Sequence, residues 1–347
     1  MRKLANALFY LFLIALIVGA GFLVWRMAQR PARPAALLFG YIDRSGQIVI
    51  EPQYLLAYDF SEGLAAVRKD YKDGYIDKSG RMAIEPKFDA AGQFAEGLAP
   101  VSLNRKAGYI DRHGTFVIAP RFDSAGSFSE GLAHVLLEDQ YGFIDASGNM
   151  AIEARFDRVR PFAEGRAAVR LGSAWGFIDK KGTIAAPPQF DHCGQFSEGL
   201  APVAIGRKWG YINPVGAVVI QPAFQAAATF SDGLAWVVSG KKIGYIDKSG
   251  AMVIQPQFDE ADSFVNGLAP VRLRKRAGYI DKTGAIAIKS RFDKAGKFTD
   301  GLAPICIDGK NGFIDRSGEV AGEPQFESVY PFSDGMARVR VEVKEQR

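Results

Sequence analysis

Hydrophobic and polar positions follow a pattern that recurs every 34 residues along most of the chain. The motif G-[YF]-I-[DN]-x-x-G begins at Gly40, Gly74, Gly108, Gly142, Gly176, Gly210, Gly244, Gly278 and Gly312. Nine copies therefore fill residues 40–345 without an insertion. Such a period indicates a repeat architecture in which each unit buries its apolar face against its neighbours.

The unit at residues 244–277 shows which elements each repeat contains. "GYID" and "AMVI" are short apolar stretches joined by "KSG", the pattern of a hairpin turn with glycine at positive φ. In "LAPVRL", Ala269, Val271 and Leu273 alternate with other residues, which is typical of a strand with one buried face. We therefore predict a three-stranded antiparallel meander in each repeat.

Between these strands, Phe258, Ala261 and Phe264 are spaced three residues apart, which predicts a short helical turn with Asp259 as its cap. The Phe264 position is phenylalanine in all nine copies, and the Phe258 position is always aromatic. Two rings per repeat should therefore be buried and form a ladder from unit to unit.

A period of 34 residues is also that of tetratricopeptide helix pairs. Here each repeat carries three fixed glycines, such as Gly40, Gly46 and Gly63, and usually a proline such as Pro52. Glycine and proline destabilise helix interiors, so paired helices are excluded. The predicted class is all-β.

"WGFIDKKG" at residues 175–182 and "KWGYINPVG" at 208–216 are followed by I-x-P-x-[FY]-D and F-[SA]-[DE]-G-L-A-x-V. These motifs resemble the bacterial WG repeat, also called the KWG repeat, over all nine units. The resemblance implies a bacterial β-rich repeat protein, often with an envelope signal or anchor, and no established catalytic residues. The tryptophan itself occurs only at Trp175 and Trp209, so its position tolerates substitution.

Two overall arrangements fit the repeats. The first unit lacks a preceding strand and the last lacks following strands, so the two ends could pair and close a propeller-like toroid. Against closure, 34 residues are few for a four-stranded blade, and "RVRVEVK" at residues 338–344 suits a capped edge. We expect an open β-solenoid or superhelix, with the closed toroid as the alternative.

The N-terminus has a different character. Residues 4–25 are a 22-residue apolar run, long enough at about 1.5 Å per residue to cross a bilayer as one helix. The predicted organisation is a basic N-terminus at 1–3, a transmembrane signal anchor at 4–25, a Pro/Arg linker at 26–39 and repeats at 40–345. A cleaved signal peptide is the alternative. The expected location is the bacterial inner membrane, single-pass, with the repeats periplasmic or extracytoplasmic.

The net charge of +5 does not indicate nucleic-acid binding. Its source is Arg2, Lys3, Arg26, Arg30 and Arg33, and the remaining chain has 38 basic and 38 acidic residues. A neutral repeat region lacks the electrostatic footprint of a nucleic-acid surface.

No motif for catalysis, a metal or a cofactor stands out. The aspartates of "GYID" suit hairpin turns better than calcium sites, and the acids before "GL" recur as structure rather than as a catalytic pair. The three histidines lack zinc-ligand spacing, and Cys193 and Cys306 should be free thiols. We expect a non-enzymatic protein without cofactors.

Variable positions carry the candidate partner-binding residues, which are bases in the turns before "GYI" and large rings nearby. They are Tyr141, Trp175, Lys208, Trp209, Trp236, Arg272, Arg274, Lys275 and Arg276. The expected function is a membrane-anchored scaffold for protein partners at the cell envelope. A cell-wall or glycan-binding module that uses exposed Trp and Tyr rings is the alternative.

Overall fold

A computed structural model describes residues 36–343, and every regular element in this range is a β-strand. The first strands in chain order are β1 (Ala36–Ile42), β2 (Ile48–Tyr54), β3 (Leu56–Ala57), β4 (Leu64–Lys69), β5 (Lys72–Asp77), β6 (Met82–Phe88), β7 (Ala90–Ala91), β8 (Ala99–Leu103), β9 (Lys106–Ile110), β10 (Phe116–Phe122), β11 (Ser124–Ala125) and β12 (Ala133–Leu137). They are followed by β13 (Gln140–Ile144), β14 (Met150–Phe156), β15 (Arg158–Val159), β16 (Arg166–Leu171), β17 (Ala174–Asp179), β18 (Ile184–Phe190), β19 (His192–Cys193), β20 (Ala201–Ile205), β21 (Lys208–Ile212), β22 (Val218–Phe224), β23 (Ala226–Ala227) and β24 (Ala235–Ser239). The last are β25 (Lys242–Ile246), β26 (Met252–Phe258), β27 (Glu260–Ala261), β28 (Ala269–Leu273), β29 (Arg276–Ile280), β30 (Ile286–Phe292), β31 (Lys294–Ala295), β32 (Ala303–Ile307), β33 (Lys310–Ile314), β34 (Ser328–Val329) and β35 (Ala337–Val343).

The strands form nine antiparallel sheets, or blades. Blade 1 is β3-β4-β5-β6, and blades 2 to 7 repeat this order at residues 90–122, 124–156, 158–190, 192–224, 226–258 and 260–292. Blade 8 has β31-β32-β33, extended only by the bridges Asn311–Phe326 and Ile314–Val320. Blade 9 combines β34 and β35 with β1 and β2. The fold is therefore a nine-bladed β-propeller.

The ring is closed, so the predicted open solenoid or superhelix is wrong and the closed alternative is correct. β35 lies between β34 and β1, so the valines of "RVRVEVK" belong to a sheet interior rather than to a capped edge. Blade 9 contacts blade 1 through Ser333 Oγ and the carbonyl of Phe60 at 2.8 Å. Ser61 Oγ makes the same contact with the carbonyl of Phe94 at 2.7 Å. The junction between blades 9 and 1 thus has the same hydrogen bond as the junction between blades 1 and 2.

The predicted helical turn is also wrong. Phe258 ends β26, and Ala261 belongs to the two-residue strand β27, which pairs with β28. Asp259 does not cap a helix; its carboxylate accepts hydrogen bonds from the Arg274 amide at 2.6 Å and from Lys242 Nζ at 2.5 Å. The three-residue spacing arises because the chain leaves the fourth strand of one blade and at once begins the first strand of the next.

The antiparallel order separates the connections onto two faces of the ring. The tip face carries the turns between second and third strands, such as residues 69–72, and the links between blades, as the 2.5 Å contact of Lys72 Nζ with Asp89 shows. The turn face carries the other two turns of each blade, such as residues 61–64 and 77–82. The turn after the first strand of one blade contacts the same turn of the next blade, as Ser129 Oγ does with the carbonyl of Phe162. Equivalent residues of neighbouring blades come this close only near the axis of the ring, so the first strands lie nearest the axis.

The core consists of separate clusters between neighbouring blades. Phe196 of blade 5 is 3 % exposed and meets the Phe177 ring of blade 4 edge-on, with 5.1 Å between ring centroids. Equivalent rings meet at every junction, so a ladder through the Phe264 position exists, although it follows a circle. Its second ring is the tyrosine or phenylalanine of the "GYI" motif, not the predicted aromatic residue at the Phe258 position. Where the partner ring is tyrosine, its hydroxyl also donates to the next blade, as Tyr75 does to the carbonyl of Gly92 at 2.7 Å.

The fixed glycine and proline have steric and edge-protecting roles. A Cβ on Gly210 would lie 2.3 Å from the Ile220 carbonyl oxygen, so no side chain fits where the third strand meets the bulged fourth strand. Pro222 lies on that fourth strand, which is the outer edge of its sheet. Proline lacks an amide hydrogen and so discourages addition of another strand to the edge.

The predicted membrane anchor at residues 4–25 lies outside the described residues. Among residues 36–343, no helix has the length and apolar character needed to cross a membrane.

Candidate functional site

One variable position recurs at the start of each third strand, directly before the fixed glycine, and we call it the slot. The slot residues of blades 1 to 9 are Asp73, Ala107, Tyr141, Trp175, Trp209, Ile243, Ala277, Asn311 and Phe39. Each slot faces the first strand of the next blade, as the contact between Asp73 and Ala91 shows. The side chain of the slot residue can differ between blades because backbone hydrogen bonds to the neighbouring strands, not this side chain, hold the sheet together.

Blade 1 fills its slot with a buried ion pair. Asp73 is 1 % exposed, and its carboxylate accepts hydrogen bonds from Arg68 Nε at 2.6 Å and Nη2 at 3.1 Å. The backbone amide of Ala91 in blade 2 donates a third bond at 3.0 Å. The Asp73 carboxylate is the largest cause of the raised pKa of Arg68. The slot of this blade therefore acts as a carboxylate-binding site that the chain itself occupies.

The aromatic candidates are half-buried, not exposed as predicted. Tyr141, Trp175 and Trp209 occupy the slots of three consecutive blades. The Trp209 ring stacks on His192 with 12° between planes, and the Arg160 guanidinium lies 5.5 Å from the Trp175 ring. Trp236 is separate, on the second strand of blade 6, and packs against that core. These rings fill gaps between strands and do not form one continuous platform.

Two slots are open cavities, because they contain alanine where other blades have larger side chains. A cavity of about 280 Å³ lies at Ala277, between blades 7 and 8, and one of about 250 Å³ lies at Ala107, between blades 2 and 3. Glu260, Arg272 and Lys294 line the first, whereas Ala90, Ser102 and Ser124 occupy the corresponding positions in the second. The two cavities are equivalent in backbone position but differ in charge.

The cavity of blade 7 contains an incompletely satisfied arginine. The Arg272 guanidinium pairs through Nη2 with Glu260, while its buried Nε has no hydrogen-bond partner among residues 36–343. The remaining candidates of this group, Arg274, Lys275 and Arg276, are exposed at the adjoining hairpin tip. Arg276 also contacts Asp293 of the blade 7–8 link at 2.6 Å. Of these four predicted binding residues, Arg272 thus lines the cavity, and the other three form the hairpin tip between Arg272 and Ala277.

The basic turns form a broken band on the tip face. In five blades the base that begins or precedes the third strand pairs with an acid 17 residues later, as Lys106 does with Asp123 at 2.6 Å. The other pairs are Lys72–Asp89, Lys242–Asp259, Arg276–Asp293 and Lys310–Glu327. At Lys208 the residue 17 positions later is Gln225, so the acid that pairs with this base in the other five blades is replaced by a neutral residue. Lys208 is therefore exposed beside Trp209 without the usual counter-ion.

The aspartates of "GYID" close turns, as predicted. Asp77 accepts from the amides of Ser79 and Arg81 at 2.9 and 3.1 Å, and Gly80 has a φ of +82°. The hydrogen bond from the Ser79 hydroxyl is the main cause that lowers the pKa of Asp77, to about 2. Asn213 accepts equivalent bonds from Val215 and Ala217, so this turn keeps the same hydrogen bonds with asparagine in place of aspartate.

The acids before "GL" connect blades rather than bind a substrate. Glu62 has a φ of +52°, and its carboxylate accepts a hydrogen bond from the Gly97 amide of the next blade at 3.2 Å. Among residues 36–343, no three His, Cys, Asp or Glu side chains are grouped to hold a metal ion. Cys193 and Cys306 are buried free thiols, as predicted, and burial raises the pKa of Cys193 to about 12.

Two features of the site were missed at the sequence level. Arg68 and Asp73 flank a hairpin tip whose sequence is typical of an exposed turn, and only the fold shows that Asp73 is buried. The cavities had a sequence signal, namely alanine at Ala107 and Ala277 in a column of larger residues. That signal has no meaning until the slot is known to face the neighbouring blade.

The fold and its repeats define a β-propeller whose blades share one 34-residue pattern. The sequence profile of the WG containing repeat family matches residues 39–72, 74–106, 108–140, 141–173, 175–209, 209–242, 243–276, 278–310 and 312–342. The chain belongs to this family.

Solved structures are similar to the chain at low sequence identity. A crystal structure of the eukaryotic initiation factor is similar with a TM-score of 0.62 and 10 % identity, over 88 % of this chain and 98 % of that one. Dihydro-heme d1 dehydrogenase NirN matches with a TM-score of 0.46, 15 % identity and coverages of 91 % and 76 %. Kluyveromyces lactis Hsv2p matches with a TM-score of 0.41 and 11 % identity, over 63 % of this chain and 89 % of that one. No curated protein sequence matches the chain. These similarities concern the fold alone.

Proposed function

We propose that the protein is a non-enzymatic scaffold that binds protein partners through the tip face of its propeller. The observation that carries this proposal is where the repeats differ. The turns on the turn face keep a near-constant pattern, whereas the hairpin tips change in residue type and charge from blade to blade. A rigid ring with one variable face is suited to partner recognition, because little conformational entropy is lost when its tips are covered.

The proposal includes a tether at the cell envelope. The apolar run at residues 4–25 has the length of a membrane-spanning helix, and a Pro/Arg linker would hold the ring close to the bilayer. Protease treatment of spheroplasts tests this part of the proposal. Digestion of the repeats in spheroplasts, with cytoplasmic proteins protected, is the expected result; protection of the repeats would place them on the other side.

Retention of envelope components on the immobilised full-length chain tests the scaffold function. The variant Lys208→Glu with Lys241→Glu changes two exposed bases of the tip face, and Lys181→Glu with Lys282→Glu makes the same charge change on the turn face. We expect the first pair to lose the retained proteins and the second pair to keep them. Retention of polysaccharide only, abolished by Trp175→Ala with Trp209→Ala, would replace the scaffold proposal with the glycan-binding alternative.

A further inference from the structure

Blades 1 and 7 share an arginine beside the slot and a base–acid pair at the tip, but blade 7 has no carboxylate in its slot. Blade 7 also has Glu260, Asp262 and Lys294 around its cavity, where blade 1 has Leu56, Tyr58 and Ala90. In blade 1, Lys72 pairs with Asp89, and Arg68 pairs with the slot residue Asp73. In blade 7, Arg276 pairs with Asp293 in the same way, and Arg272 occupies the Arg68 position. The slot residue is Ala277, so blade 7 has the arginine and the space but no carboxylate.

The missing group can be inferred from what blade 1 places there. The Asp73 carboxylate satisfies Arg68 Nε and the Ala91 amide together. The corresponding groups of blades 7 and 8 are Arg272 Nε, which is buried without a partner, and Ala295, which lines the cavity. A buried donor without an acceptor is unfavourable, and a guanidinium is best matched by a planar carboxylate.

An aromatic occupant fits less well. In blades 4 and 9 an arginine stands at the same position beside a ring in the slot, Arg170 beside Trp175 and Arg340 beside Phe39. The Nε atoms of both arginines remain without a hydrogen-bond partner. A ring therefore fills the slot without satisfying this donor, and within residues 36–343 only the carboxylate of blade 1 does so.

The surroundings indicate that the carboxylate belongs to a peptide. Arg274 and Lys275 lie at the exposed hairpin tip between the cavity residues Arg272 and Ala277, and they can pair with further acids of an extended segment, whereas Arg276 already pairs with Asp293. Glu260, the present partner of Arg272, has a side chain that is 65 % exposed, so this surface ion pair is weak and can be displaced.

We propose that the cavity between blades 7 and 8 binds an acidic side chain of a partner peptide, with its carboxylate on Arg272 Nε and neighbouring acids on Arg274 and Lys275 of the adjoining tip. The proposal rests on the scaffold function and names the partner chemistry for one site. The blade 2 cavity, which has Ser102 in place of the arginine, does not take part.

Fluorescence anisotropy with the full-length protein and a fluorescein-labelled hexaglutamate peptide tests this site, with labelled hexaglutamine as the uncharged control. Filling the cavity by Ala277→Trp, or removing the base by Arg272→Ser, should weaken hexaglutamate binding at least about tenfold. Ala107→Trp fills the blade 2 cavity, which has Ser102 in place of the arginine, and should leave the affinity unchanged. Both tryptophans match residues that blades 4 and 5 already contain. Equal effects of the two tryptophan variants would overturn the proposal.

Ala277→Asp gives an independent readout, because it supplies the carboxylate of blade 1 from the chain itself. We expect a higher urea midpoint and the loss of hexaglutamate binding. A lower midpoint would mean that Arg272 is not placed as Arg68 is. Binding of succinate as tight as that of hexaglutamate would overturn the assignment to a peptide. Tight binding of a labelled tryptophan-rich peptide that is insensitive to Arg272→Ser would overturn the assignment to a carboxylate.

The two proposals fail differently. If hexaglutamate does not bind but envelope proteins are still retained through the tip face, the carboxylate site is wrong and the scaffold stands. If no protein is retained either, both are wrong.

Discussion

The carboxylate of Asp334 accepts a hydrogen bond from the backbone amide of Gly63 at 2.5 Å, across 271 residues of sequence. The same acid pairs with Lys78 Nζ at 2.8 Å. Burial alone would raise the pKa of Asp334, but these two hydrogen bonds, together with the charges of Lys78 and Arg112, outweigh burial and lower the pKa. Eight of the nine junctions have this acid-to-glycine bond. It is therefore the common link between blades on the turn face.

Asp334→Ala should lower the free energy of unfolding by about 1–2 kcal/mol, since the Gly63 amide and Lys78 both lose their acceptor. Urea denaturation followed by circular dichroism measures this change. Asn266→Ala is the matched control, because Asn266 has the same positive φ but no hydrogen bond to the next blade's glycine among residues 36–343. Equal losses in the two variants would show that only the turn conformation matters.

The pH dependence of stability should reflect the "GYID" turns. The pKa of Asp77 is lowered to about 2, and the pKa values of Asp43, Asp247 and Asp281 are lowered mainly by side-chain hydrogen bonds. A carboxyl with a lowered folded-state pKa stabilises the fold above its unfolded pKa of about 4, and this contribution is lost as pH falls towards the folded value.

We therefore expect urea midpoints that are nearly constant from about pH 7 to 5 and that fall between about pH 4 and 2. Asp77→Asn should keep the turn, as Asn213 does, and should reduce the fall. A midpoint that rises on acidification below about pH 4 would contradict this account.

Phe196→Ala should destabilise the protein by about 3–5 kcal/mol, because the ring is buried at the junction of blades 4 and 5. Chemical denaturation by two probes, tryptophan fluorescence and circular dichroism, measures the loss. Leu171→Ala, a change at a surface-exposed residue, serves as the control and should have little effect. A loss below about 1 kcal/mol for Phe196→Ala would contradict the ring ladder.

Removing one partner of the buried pair in blade 1 should lower the free energy of unfolding more than removing both partners. Asp73→Ala leaves Arg68 Nε and the Ala91 amide without an acceptor, and we expect a loss of about 2–3 kcal/mol. Arg68→Ser with Asp73→Ala recreates the combination that blade 2 has at Ser102 and Ala107, and it should recover more than half of that loss. Additive losses in a denaturant-based double-mutant cycle would argue against coupling.

Local patterns were sufficient to predict the strands and turns. Alternation in "LAPVRL" and the glycine of "KSG" depend on neighbours within a few residues, and the predicted strand and positive φ are both correct. The predicted single buried face is wrong, because Pro270 is buried as well as Ala269 and Val271. The first strand of each blade was missed because it has only two residues, too few for a period to show. Its apolar residues, such as Ala261, therefore resembled one face of a helical turn.

Closure and the slot could not be predicted by the same means. Pairing of β1 with β35 joins the two ends of the repeat region, and no local period contains that information. The burial of Asp73 depends on contacts with the next blade, and a sequence pattern read one repeat at a time does not include those contacts. The basic tip at Arg272 to Arg276 was found from charge alone, whereas the cavity beside it required the packing.

Blade 9 takes two strands from each end of the repeat region, and this has an evolutionary consequence. DNA repeats of identical length can recombine out of register, and such recombination adds or deletes whole copies. An open array would tolerate such changes, since each unit needs only its two neighbours. A closed ring does not, because each blade occupies one-ninth of a full turn, and a gained or lost copy would strain every junction at once. Shared closure thus makes the copy number itself a selected property of the gene.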